Sequence, residues 1–100
     1  MTMSRLAALD LNSGLVCWVG DAGSGAEACK RSYEDVGAQL PPGGLREVAK
    51  QDVSANAAGF AVHQVPDDFD IEAFKAEDAV KLVRACPLVG YYQALPQAAA

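Results

Sequence analysis

The chain alternates between short apolar runs and polar breaks, and the period inside each run predicts its structure. Leu6-Ala7-Ala8-Leu9 and Leu15-Val16-Cys17-Trp18-Val19 flank Asn12-Ser13-Gly14. Asn and Gly tolerate positive φ, so the two runs predict a β-hairpin. The second run is apolar at every position, which predicts a strand covered on both faces or central in its sheet. From residue 24 the period lengthens. Ser24 and Glu27 have the spacing of a capping box, in which the serine hydroxyl takes the Glu27 amide and the carboxylate returns to the Ser24 amide. Ala26, Cys29, Tyr33 and Val36 follow at helical spacing, and Gly37 supplies the stop.

Pro41-Pro42-Gly43-Gly44 is a loop that no helix or central strand crosses. Residues 45–53 fit a strand or a short helix. The strand is preferred, because Ser54-Ala55-Asn56-Ala57-Ala58-Gly59 then reads as a hairpin loop into a clearer strand, residues 59–65, closed by Pro66. Residues 71–86 predict a second helix with Ala79, Leu82, Val83 and Cys86 on one face, stopped by Pro87. Residues 88–95, with Tyr91 and Tyr92, predict the last strand, and residues 96–100 a frayed tail. The expectation is a single α+β domain over residues 1–100. Its order is β-β-α-β-β-α-β, with one mainly antiparallel sheet and two helices packed on one face. The final β-α-β step leaves room for a parallel strand.

Composition narrows the function classes. Of 100 residues, 51% are apolar, but 19 are alanine, so the large apolar side chains suffice for one small core. Thirteen acids against eight bases give a net charge of −5, which argues against direct contact with nucleic acid. No apolar run approaches the roughly 20 residues of a membrane span, and the first is too short for a secretory signal. A cytoplasmic protein with no membrane partner is expected. Cys17, Cys29 and Cys86, with His63 as the one histidine, match no metal motif and read as small buried thiols. No metal, cofactor or catalytic residue is assigned. A Cys–His nucleophile would require the fold to bring His63 to one of the thiols.

The charge is unevenly placed. Asp67, Asp68, Asp70, Glu72, Glu77 and Asp78 lie within residues 67–78, with Lys75 as their one base. This segment sums to −5, and the remaining seven acids and seven bases cancel. Helix chemistry accounts for part of it. Asp70 has the place of an N-cap, and Glu72–Lys75 and Glu77–Lys81 have ion-pair spacing. Asp67 and Asp68 exceed that need, so the six acids are the candidate site for a protein partner with a basic surface. Trp18 and the Tyr91-Tyr92 pair read as core and sheet surface, or as an aromatic contact patch.

Gly20 and Gly25 have the spacing of a phosphate loop, but Ala26 and Glu27 stand where its lysine and hydroxyl belong. Gly23, Gly25 and Ala28 fit the dinucleotide pattern in a chain too short for that fold. A phosphate or nucleotide ligand at this turn is therefore the alternative function. A self-assembling subunit that completes its sheet edge with another copy is a further one.

Asp10-Leu11-Asn12-Ser13-Gly14 followed by Trp18, and Gly59-Phe60-Ala61-Val62-His63 ahead of an acidic segment and helix, carry a resemblance. Over about half the chain they resemble small proteobacterial proteins often carried on mobile elements. That resemblance implies a phage- or plasmid-borne accessory protein, a class that includes acidic inhibitors of host defence such as anti-CRISPR proteins. The expected function is a non-enzymatic inhibitor or immunity-type protein, monomeric or homodimeric, that occludes a basic surface.

Overall fold

Consecutive residues of the two innermost strands are buried without alternation, and this sets the architecture. Leu6, Ala7, Ala8 and Leu9, and likewise Phe60, Ala61 and Val62, are all buried. Successive side chains of a strand point to opposite faces, so both faces of this sheet need cover.

The computed structural model describes residues 3–40, 44–54 and 57–94. Five strands, β1 (Ser4–Asp10), β2 (Val16–Ala22), β3 (Leu45–Val48), β4 (Gly59–Gln64) and β5 (Leu88–Ala94), form one open sheet in the order β2-β1-β4-β5-β3. Every neighbouring pair is antiparallel. Helix α1 (Gly25–Asp35) follows β2, and helix α2 (Ala76–Arg84) joins β4 to β5. The α+β class and antiparallel sheet agree with the sequence. The order differs in detail, because 3-10 turns at Lys50–Asp52 and Ile71–Ala73 interrupt the segments expected to be continuous. The expected loop at residues 41–43 and the tail at 96–100 lie outside the described residues.

The two helices do not share a face. Ala28 and Cys29 of α1 pack with Leu6, Ala8, Phe60, Val62 and Tyr92. Val83 of α2 packs with Ala7, Leu9, Ala61, Val65 and Phe69 on the other side. The result is a three-layer sandwich. Alanines at the sheet centre make it feasible at this length, because a small side chain lets a helix approach closely.

The strand expected to be covered on both faces or central has side chains packed on both faces but lies at an edge. β2 pairs only with β1, and Trp18 lies toward α1 while Val16 and Val19 lie toward α2. No parallel strand forms, since β5 runs antiparallel to β4. Nor do β3 and β4 form a hairpin: β5 lies between them. Gln93 of β5, buried, fixes their connection, with Nε2 donating to the Ser54 carbonyl at 2.7 Å and Oε1 accepting the Ser54 amide at 2.8 Å.

The first hairpin is formed as expected. Asp10 Oδ1 accepts the Asn12 amide at 2.8 Å, and Gly14 takes φ +74. In α1, Ser24 Oγ accepts the Glu27 amide, while the Glu27 carboxylate reaches the Gly23 amide rather than that of Ser24. The buried face of α1 is Gly25, Ala28, Cys29 and Ser32, shifted from the expected one; Ala26 and Val36 are exposed.

Two-sided burial yields a test. Ala7→Lys and Ala8→Lys place a charge on opposite faces, so each is expected to cost about 3–5 kcal/mol by chemical denaturation. A helix-free face would tolerate one of the two.

Candidate functional site

Residues 67–78 are held over the α2 face by backbone contacts rather than by their charges. Arg5 of β1 donates from Nε to the Phe69 carbonyl at 2.8 Å, and the Val65 amide donates to the Arg5 carbonyl at 3.0 Å. Pro66 to Phe69 closes a turn through the Phe69 amide, and Asp70 Oδ1 accepts the Glu72 amide to cap the 3-10 turn. Asp70 therefore caps this turn and not α2, whose N-cap position is Lys75. The turn brings Phe74 back over Phe69, with centroids 5.9 Å apart and ring planes 21° from parallel.

All six acids expected at the site are exposed. The ion pairs Glu72–Lys75 and Glu77–Lys81 do not form. Among the described residues the two ion pairs within 4.0 Å are Lys30–Glu34 and Arg31–Glu27, both on α1. The fold groups the acids only in part. Asp68 and Asp70 line a shallow groove of about 330 Å³ with Phe69, Phe74, Leu82 and Cys86. Each helical residue turns about 100°. Asp78 thus sits one turn before Leu82 on the groove side of α2, while Glu77 falls on the outer face with Lys81 and Arg84. Asp67 and Glu72 flank the groove in sequence without lining it.

The sequence reading missed the apolar half of this site. Leu82 was expected in the core but is 42% exposed, and Phe74 is 43% exposed. Two phenylalanines inside an acidic run were the available signal. Ala79 and Val83 alone of α2 are fully buried, and Cys86 is half-buried.

At the glycine-rich turn, packing explains the glycines. A Cβ on Gly20 would strike the Trp18 ring, and one on Gly25 would strike the Tyr92 ring. The Glu27 carboxylate occupies the Gly23 amide, and Arg31 donating to it holds Glu27 below its usual value. Two amides of this turn, those of Gly23 and Glu27, are thus taken by the chain itself.

A second cavity, of about 240 Å³, lies beside a β-bulge in β2. The register steps from Ala8↔Trp18 to Leu9↔Val16, leaving Cys17 as the extra residue. Cys17 is exposed as a residue, but its thiol turns inward, donating to the Ala8 carbonyl at 3.3 Å and lying 3.5 Å from Ser32 Oγ. Burial pushes this thiol up, against the lowering effect of Ser32. Cys29 is pushed up to about 12 by burial. Of the three thiols, only Cys29 is fully buried, which corrects the expectation for the other two. His63 Nδ1 meets the Cys86 carbonyl at 3.0 Å, not its thiol. Among the described residues no cluster of three or more His, Cys, Asp or Glu has metal-site geometry, and no helix is long and apolar enough to cross a membrane.

No protein-family model matches the chain, and neither the curated proteins nor the solved structures give a match.

Buried thiols make a pH test. Cys29 ionises with more difficulty folded than unfolded, so its contribution to stability is intact below its ordinary value of 9.0 and declines toward about 12. Tyr33 and Tyr92, also pushed up by burial, act in the same direction. Melting temperature is expected to fall over this alkaline window, less steeply in Cys29→Ala. Iodoacetamide at neutral pH is expected to label Cys29 only as the chain unfolds.

Proposed function

We propose that the protein is a small acidic binding protein whose segment 67–78 docks on a basic protein surface and blocks it. The observation that carries this reading is the state of its six carboxylates: exposed, within one twelve-residue segment, and without an ion pair among the described residues. Two solvated groups that already pair lose that attraction on docking. These six have none to lose, so a cationic partner supplies new contacts. Exposed charge of one sign speeds encounter and rejects acidic partners more than it adds raw affinity.

A surface that normally holds nucleic acid has the required charge. Blocking such a surface is a steric and electrostatic function that needs no catalytic residue. The likeness of residues 10–14 and 59–63 to mobile-element proteins favours an inhibitor of host defence, of the anti-CRISPR or immunity kind, acting in the cytoplasm. The glycine-rich turn is the weaker alternative, given that the Glu27 carboxylate already sits on the Gly23 amide and Ser24 on that of Glu27, placing a negative charge where an anion would bind.

The test is a paired pull-down from host lysate. The tagged protein is expected to capture a basic protein that elutes as salt rises. The variant with Asp67, Asp68, Asp70, Glu72 and Asp78 changed to their amides is expected to lose it by about tenfold or more. Undiminished capture by the amide variant would remove the reading.

A further inference from the structure

The groove beside the acids has a composition that charge alone does not require. Phe74 and Leu82 are each more than two-fifths exposed, and they line one depression together with Phe69 and Cys86. Phe74 is held there by its stacking on Phe69, which is itself buried, so the apolar wall is preformed. The Cys86 thiol donates to the Leu82 carbonyl at 3.2 Å. Its one polar hydrogen is therefore used at the C-terminal end of α2, and the sulfur offers an apolar surface. Asp68 and Asp70 line the same depression, and Asp78, outside its lining, stands one helical turn before Leu82 on α2. No basic side chain lines it.

We infer that this groove receives the apolar anchor of a basic amphipathic helix, with Phe74 and Leu82 gripping the anchor and Asp68, Asp70 and Asp78 facing the cations on either side. The inference rests on the acidic docking reading above and adds the class of partner segment. Three features of the groove select that class. Its volume of about 330 Å³ suits one or two large side chains, not a whole strand or sheet. Its lining carboxylates call for Lys or Arg next to the anchor. An amphipathic helix places an anchor and flanking cations on adjacent stripes, at i and i+4 spacing. Central apolar anchors ringed by polar contacts carry most of the energy in such interfaces. A second copy of this chain is a poorer occupant, because its matching surface carries the same negative charge.

The experiment uses the full chain and two synthetic probes, read by fluorescence anisotropy. One is a lysine-rich helical peptide of about 16 residues with leucines at i and i+4; the other is its twin with both leucines changed to serine. The leucine peptide is expected to bind about tenfold or more tightly than its twin. Phe74→Ala with Leu82→Ala is expected to erase that difference and leave the serine peptide unchanged. Leu82→Lys, a single change at an exposed helical position, is expected to weaken both, the leucine peptide more. Equal binding of the two peptides to the unaltered protein would overturn the groove inference and leave the electrostatic reading intact. Failure of both peptides to bind would count against both. A doubling of mass by sedimentation that Leu82→Lys abolishes would overturn the inference by showing the groove to be a self-interface.

Discussion

The structure depends on one constraint: the strands at the centre of the sheet are apolar on both faces. Burial of Ala7 and Leu9 against α2 matters as much as burial of Leu6 and Ala8 against α1. Each buried methylene is worth about 0.8 kcal/mol relative to water, so neither face of β1 or β4 is stable uncovered. Of the two α-helices among the described residues, one goes to each side. Alanine supplies the means. Ala7, Ala8, Ala22, Ala28, Ala61 and Ala79 are all buried, and they let a three-layer arrangement close with few large side chains.

This arrangement determines what α2 has to spare. A nine-residue helix that shares its face with Val65, Phe69 and Ile71 turns Ala79 and Val83 to the sheet and leaves Leu82 at the surface. The 3-10 turn before it sets Phe74 opposite. Arg5 reaches from β1 to the Phe69 carbonyl and fixes the approach. It holds the acidic segment by a backbone carbonyl, and among the described residues no carboxylate of that segment has an ion pair. Scaffold and charge are thus separable: the body would fold the same way with amides at these positions, while the electrostatic character of the α2 face would vanish.

Much of the local structure is legible in the sequence, because its signals are local. Asn12-Ser13-Gly14 forms its turn, Ser24 caps its helix, and the charge imbalance of residues 67–78 appears undiminished on the surface. The long-range arrangement is not legible. Whether α1 and α2 lie on the same side depends on which strands are central, and β2 reads as apolar as β1 although it sits at an edge. The insertion of β5 between β4 and β3 leaves no local trace, since the buried Gln93 that enforces it reads in sequence as an ordinary surface amide. The apolar groove is hidden for a related reason. Periodicity assigns Leu82 to the core along with Ala79 and Val83, and only the packing of α2, which buries those two and leaves Leu82 exposed, shows otherwise. The bulge that turns the Cys17 thiol inward is equally a property of strand pairing, so the exposed backbone position and the shielded sulfur cannot both be read from the sequence.

The central claim is that the proposed docking uses the α2 face. The most direct measurement is amide chemical-shift mapping of the isotope-labelled chain titrated with the leucine-bearing basic peptide. The account expects shifts confined to residues 66–86, largest around Phe74 and Leu82, with α1 silent. Shifts centred on α1 or on the cavity beside Cys17 and Tyr33 would contradict it.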